Sequence, residues 1–271
     1  MERSLALMCG AGPLPAHLAR EATRKGFRVI AFAFGDAPGI GEAAERTVPS
    51  SLADLRAVVA ELQAEGVSAA LFSGKFWKQD VLLTPETVRA HILARTGGVL
   101  TDAGLIQAVV SALGALGIEV LDQLEFLGDW LARPGRLGRH EVGAPHQPDL
   151  ERGFAIARTL AELGIGQTIV LKHGMVAAVE AADGTTETIH RGLHYAGAGA
   201  LVVKAVARDN DYRFDVPSIG PDTLEAMRAG GASALAIEAG RVAVLEPART
   251  VALADHAGIA VVSMDPPSPD R

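Results

Sequence analysis

Cysteine is nearly absent from this chain. The single one, Cys9, leaves no internal disulfide and fits a reducing compartment. It lies in an apolar run, where a thiol reads as a core residue rather than a nucleophile. Aromatic residues make up only 4 % of the sequence, so the core has to come from Ala, Val, Leu and Ile. A formal net charge of −7, with no basic stripe interleaved with aromatics, argues against nucleic acid as a partner. No run of ~18 apolar residues occurs, so no transmembrane helix is expected. The opening residues 1–12 are too briefly apolar for a signal peptide and scan as a strand and a loop. The expected location is therefore the cytoplasm. Catalytic signatures are missing too. There is no Ser-His-Asp pattern, nucleophile elbow, HExxH or Walker A, and His140 and His146 lack the companions a zinc site needs.

What is present is patterned. Hydrophobic residues supply 49 % of 271 positions, ample for one large domain or two small ones. An apolar run at residues 4–8, a Gly/Pro loop at 10–15, helical spacing over 16–25 and a second apolar run at 27–34 give a β-loop-α-β order. That order opens a parallel, doubly wound sheet. Further along, a helix over 52–65, a strand over 68–72, a helix over 105–116 and a strand over 118–121 continue it. Residues 132–149 differ. They are rich in Gly, Pro and Arg, lack periodicity, and are the best candidate for an interdomain connection. Beyond them a helix over 150–163, a β-hairpin across His173-Gly174, a strand at 200–203, a helix at 221–229, strands at 234–238 and 242–245, a helix at 247–257 and a strand at 259–264 are expected. The expectation is an α/β protein: an N-terminal Rossmann-like parallel-sheet domain over 1–131 and a second, mixed α/β domain over 150–271, joined by the 132–149 linker.

Three stretches carry candidate chemistry. In the first loop, Gly10 and Gly12 form a G-x-G where a dinucleotide fingerprint belongs, but position 15, where the third glycine should fall, holds Pro15. The loop reads either as a set of backbone N–H groups approaching a phosphate at a helix N-terminus or as a plain tight turn. Ser73-Gly74-Lys75 follows a strand and is well placed to meet an anion, and Phe76-Trp77-Lys78 next to it reads as a ligand contact or as incidental packing. Asp102 stands near a helix start, as an N-cap would. In the second half Glu180, Thr185, Arg191, Lys204, Arg213 and Asp215 fall near strand ends and turns. Residues 204–220 are the densest in charge, a solvated loop or a site. Pro217 biases Val216 toward extended backbone and so stiffens the segment that carries Asp215. Carboxylates beside cations suit a hard metal and a phosphate clamp, which makes metal-assisted hydrolysis by water the economical chemistry.

In this order and spacing, the loop at 10–15, Ser73-Gly74-Lys75, the segment around Arg136, Ile165-Gly166-Gln167, residues 176–191 and residues 201–220 resemble the UDP-2,3-diacylglucosamine pyrophosphatases of the LpxI type, enzymes of lipid A biosynthesis. The resemblance runs over nearly the whole chain. It implies a UDP-associated N-terminal domain, a C-terminal domain peculiar to the family, and Mg²⁺-dependent hydrolysis, with Mn²⁺ as the alternative ion, to UMP and 2,3-diacylglucosamine 1-phosphate. The family's essential aspartate, in D-x-P-x-I-G, is Asp215 here. On this footing Gly10, Gly12, Pro13, Leu14, Lys75, Gly184 and Thr185 border the substrate. Lys204, Arg191 and Arg213 neutralise the diphosphate, and Asp215, with Glu180 or Asp102, holds the metal. The expected partner is the lipid-linked UDP-sugar itself, with weak peripheral contact at the inner membrane and a homodimer left open. The chain departs from many relatives at Ala103 and Thr186, where they carry Asp. Two rivals remain: a nicotinamide-dependent oxidoreductase built on the G-x-G, and a non-catalytic nucleotide-sugar or lipid-binding module.

Overall fold

The computed structural model of the protein describes residues 3–76 and 102–265. Trp77, Lys78, Thr101 and the tail from 266 lie outside the described residues, as does the side chain of Asp102. Two compact units divide the chain. Met1–Gly128 together with Asp211–Asp215 make the first, and Asp129–Asn210 with Val216–Arg271 make the second.

The first unit runs β1 (Arg3–Cys9), α1 (Leu14–Arg24), β2 (Phe27–Ala33), α2 (Ile40–Ala43), β3 (Arg46–Pro49), α3 (Leu55–Ala64), β4 (Ala69–Ser73), α4 (Asp102–Gly114), β5 (Glu119–Val120) and α5 (Leu124–Leu127). Its strands form one parallel sheet in the order β3-β2-β1-β4-β5. The apolar runs behind β1, β2 and β4 are the signature of strands covered on both faces. Met8, Ile30, Phe32, Val58 and Leu62 pack together on one face. The Asp54 carboxylate starts α3 by accepting from the Ala57 amide at 3.1 Å. Strand order reverses between β1 and β4, so the loops leaving those two strands flank the switch point where ligands of such sheets bind.

The second unit runs β6 (Gly135–Arg136), α6 (Gln147–Glu162), β7 (Thr168–Lys172), β8 (Met175–Val179), α7 (Gly184–Ala196), β9 (Leu201–Lys204), β10 (Ser218–Ile219), α8 (Pro221–Ala229), β11 (Ala234–Glu238), β12 (Ala243–Val244), α9 (Pro247–Ala257) and β13 (Ala260–Met264). Six strands form a mixed sheet in the order β6-β13-β11-β9-β7-β8, with β13, β11 and β9 parallel and the rest antiparallel. Strands β10 and β12 pair separately. α6 buries Leu150, Gly153, Phe154 and Ala157, spaced along one helical face over β7 and β9. The hairpin turns at His173 and Gly174, both at positive φ, as a two-residue turn between twisted strands requires. Asp149 of α6 fixes that turn by accepting from the Gly174 amide at 2.6 Å.

One expectation changes. Residues 132–149 are not a free connection. β6 pairs antiparallel with β13, the Leu137 amide donates to Val261 O at 2.9 Å, and α6 begins at Gln147. The segment belongs to the second unit, because edge pairing needs only backbone groups and leaves no apolar period in the sequence. Among the described residues no helix is long and apolar enough to cross a membrane.

Candidate functional site

The first unit's switch point is closed by backbone. Ala11 and Lys75 form an antiparallel bridge, each amide donating to the other's carbonyl at 2.9 and 2.8 Å. The Gly10 amide donates to Ser73 O at 2.8 Å and the Gly12 amide to Asp36 O at 2.9 Å. A Cβ at Gly10 would stand 2.6 Å from Lys75 O, and one at Gly74, where φ is +84°, would stand 2.9 Å from Ala11 O. The glycines therefore let two loops interlock. Of the two readings of this loop, these amides fit the tight turn: those of Gly10, Ala11 and Gly12 are committed to carbonyls. Pro13 precedes α1, Leu14 is buried, and the Lys75 residue is exposed beyond the bridge.

The same unit contains Asp211–Asp215. Arg213 grips Asp211 with its fork, Nε to Oδ1 at 2.9 Å and Nη2 to Oδ2 at 2.6 Å. That hydrogen bonding to Arg213 holds the Asp211 carboxyl below the ordinary aspartate range. The amides of Phe214 and Asp215 donate to Asp211 O at 3.2 and 3.3 Å, which winds the segment into a turn. Asp215 emerges exposed, next to buried Val216 and Pro217. Pro217 O in turn accepts from the Ala243 amide at 2.8 Å.

In the second unit, charges gather at the end of the sheet where the parallel strands finish. Lys204 ends β9 opposite Thr168, the first residue of antiparallel β7. Glu180 follows β8, and Thr185 lies in the first turn of α7. Lys204 Nζ donates to Thr168 Oγ1 at 3.3 Å and Thr185 Oγ1 at 3.1 Å, and lies 4.0 Å from Glu180 Oε2. The Thr185 hydroxyl donates to Glu180 Oε1 at 2.9 Å, and the Gln167 amide donates to Oε2 at 3.2 Å. Burial pushes the Glu180 carboxyl up. The Lys204 ammonium, the Thr168 and Thr185 hydroxyls and the Gln167 amide together outweigh it and hold the group below the ordinary range. With its side chain 5 % exposed, Lys204 spends its donors inside the unit.

Beside this network, Glu238 at the end of β11 is buried between two arginines, with Arg158 at 2.8 Å and Arg241 at 3.1 Å. Its other oxygen accepts from the Val206 amide at 3.0 Å. Arg241 also donates to the carbonyls of Ala207 and Arg208. The root of the charged stretch is thus clamped. Arg191 of α7 donates to Asp183 at 2.5 Å and to Val179 O at 3.0 Å, which ties the helix start to β8.

The sequence-derived set therefore divides. Glu180, Thr185 and Lys204 meet in the second unit, with Gly184 at the start of the same helix. Arg191 pairs with Asp183. Gly10, Gly12, Pro13, Leu14, Lys75, Arg213 and Asp215 belong to the first unit. Sequence reasoning missed Thr168, Glu238 and Arg241, whose types look like ordinary strand and loop residues, and noted Gln167 only as part of a motif. It also missed Phe214, which a chain so poor in aromatics could have flagged.

Among the described residues no three His, Cys, Asp or Glu side chains gather closely enough to hold a metal by themselves. Mg²⁺ asks less of a protein, since it keeps waters and takes one or two carboxylates with substrate phosphates. Exposed Asp215 suits that role. Glu180 is placed differently, with the Lys204 ammonium 4.0 Å from its Oε2 already balancing its charge.

Comparison with known proteins gives two family matches and one curated relative. The sequence profile of the LpxI N-terminal domain matches residues 4–130, and that of the LpxI C-terminal domain matches residues 133–262. A protein of Caulobacter vibrioides named UDP-2,3-diacylglucosamine pyrophosphatase LpxI is 29 % identical, over 97 % of this chain and 98 % of its own length.

Proposed function

The chain belongs to the LpxI family, and from that membership we propose that it hydrolyses the pyrophosphate of UDP-2,3-diacylglucosamine in lipid A biosynthesis. The observation that carries the reading is the end-to-end match: both domain profiles in order, and a relative of that name aligned over almost its whole length. Water forms a bond to the sugar-side phosphorus, the bridging P–O bond breaks, and UMP leaves with the bridging oxygen. The other product is 2,3-diacylglucosamine 1-phosphate. Such displacements depend on positioning and charge neutralisation more than on covalent help.

Asp215 is assigned the central part. It is exposed, it follows a turn fixed by Asp211, and Pro217 limits the backbone just after it. A carboxylate so held orients an attacking water or serves as the protein ligand to Mg²⁺. When bound, Mg²⁺ would neutralise charge on the phosphate oxygens. Arg213 keeps N–H groups beyond the two given to Asp211, since a guanidinium has five. It is the cation nearest in sequence for a phosphate oxygen. The Lys204–Glu180–Thr185 network holds the start of α7, and with it Gly184, in place.

The nicotinamide reading finds no support at the G-x-G, because the amides that would face a pyrophosphate are bonded to Ser73, Lys75 and Asp36. The test is UMP release from UDP-2,3-diacylglucosamine, with Mg²⁺ or with EDTA, by the wild type and Asp215→Asn. Release by the wild type that needs metal and falls about 10²–10³-fold in the variant is expected. Wild-type turnover by the variant would remove Asp215 from the mechanism. Substrate binding without UMP release by the wild type would favour the binding-module reading.

A further inference from the structure

Residues Asp211–Asp215 are a strap. They come late in the chain, yet they pack with the unit built from Met1–Gly128. The docking has three parts. The Gln123 amide, just past β5, donates to Tyr212 O at 3.2 Å. The Phe214 ring lies on the Phe72 ring of β4, with centroids 4.6 Å apart and planes tilted by 36°. The Arg213 guanidinium feels the Asp122 carboxylate as well as Asp211. On the near side the strap follows the Arg241 clamp on Ala207 and Arg208, and on the far side it runs into β10.

Phe214 is the residue immediately before Asp215, so the ring contact and the carboxylate share one peptide. Backbone bonds within the turn fix its shape, but they do not fix where the turn rests. The ring pair, the Gln123–Tyr212 bond and the Arg213–Asp122 attraction contribute to that. Among the ring pairs of the described residues this one is the tightest, with centroids 4.6 Å apart against 5.9 Å for Phe27–Phe126 and 6.0 Å for Phe34–Phe76.

We propose that Phe72 and Phe214 are positioning residues for the reaction: by docking the strap on the first unit, the ring pair sets the location of the Asp215 carboxylate. This rests on the reading that Asp215 carries turnover. Displacement of a reacting group by about 1 Å costs on the order of 10²-fold in rate. Phe72→Ala is expected to lower kcat about 10–100-fold with KM changed less than about threefold, because the strap loses its seat while the rest of the substrate's contacts remain. Phe72→Tyr keeps the ring and restores kcat to within about twofold, on the same reasoning.

The second readout is tryptic cleavage of the Arg213–Phe214 bond, followed by mass spectrometry in the full chain. Phe72→Ala leaves that bond's own sequence intact, and cleavage there is expected to speed up relative to cleavage elsewhere in the chain. Should Phe72→Ala fail to fold, Phe214→Leu removes the stacked face while keeping an apolar side chain, and kcat is read in the same way. The outcomes separate cleanly. Faster cleavage with lowered kcat, rescued by Phe72→Tyr, supports the proposal. Faster cleavage with wild-type kcat overturns it while leaving Asp215 in place. Lowered kcat with unchanged cleavage also overturns it, since the rings would then act by some route other than docking. Undiminished turnover in Asp215→Asn removes the premise instead.

Discussion

The two sheets finish their carboxyl ends in opposite ways. In the first unit the edge is closed by main chain: Ala11 pairs with Lys75, Gly10 with Ser73, Gly12 with Asp36. In the second unit it is closed by charge: Lys204 with Glu180 and two threonines, and Glu238 with Arg158, Arg241 and the Val206 amide. A main-chain closure depends on the absence of side chains, and a charged closure depends on every partner being present. The same place in two α/β sheets is thus vulnerable to opposite kinds of substitution.

The largest effect is expected at the charged edge. Glu238→Ala leaves Arg158 and Arg241 facing each other with no carboxylate between them. Removing one partner of a buried pair typically destabilises by about 3–5 kcal/mol. Denaturant unfolding of this variant, compared with Arg3→Ala at the exposed Arg3–Glu119 pair, should show that loss against one of under about 1 kcal/mol. Similar losses in both would mean that Glu238 is not the keystone of its edge.

At the main-chain edge, adding a methyl should do what removing a charge does at the other. Gly74→Ala meets Ala11 O at 2.9 Å and sits at a φ of +84°, so about 1–3 kcal/mol is expected from crowding and strain together. Gly12→Ala, at a φ of +103° with nothing within 4 Å, carries backbone strain alone and should lose about 1 kcal/mol. Equal melting shifts for the two would contradict the interlocked-loop account.

The smallest effect is a pH dependence specific to the charged edge. Glu180 has a folded-state pKa below its unfolded value, so its stabilisation is complete above about pH 4.3 and is lost as the pH falls through the lower folded value. Glu180→Gln should therefore be less stable than the wild type at neutral pH, with the gap narrowing on acidification below about pH 4.3. A gap that stayed constant across that window would show that the network does not depend on the ionised carboxylate.

Legibility followed the same division. β1, β2, β4 and β7 were readable because buried strands leave apolar runs, and the hairpin turn because Gly174 follows His173. β3 and β6 were not, since both are short and mostly exposed, and hydrogen bonding alone defines them. α7 extends five residues past Arg191, to Ala196, where Gly192 and His194 dilute the helical signal. At the candidate site, Glu180, Thr185 and Lys204 stood out together with Arg191, Arg213 and Asp215, because polar and charged residues at strand ends are conspicuous, and the first three meet in one network. Thr168 was invisible as their partner, since a threonine in a strand is ordinary. Gly10 and Gly12 were conspicuous together but differ in what they do locally: at Gly10 close packing of two loops leaves the same mark on a sequence as close approach of a phosphate, and at Gly12 a φ of +103° does.

The strap has a consequence for how the gene can be divided. The two family profiles meet between residues 130 and 133, which invites a cut there. The spatial boundary does not follow that cut, because Asp211–Asp215 is encoded with the second half and completes the first. A fragment ending at residue 130 would leave Phe72 without its ring partner and Gln123 without the Tyr212 carbonyl, and the complementary fragment would carry Asp215 on an undocked loop. Gene fission at the seam visible in the sequence would separate Phe214 from Phe72 and Tyr212 from Gln123.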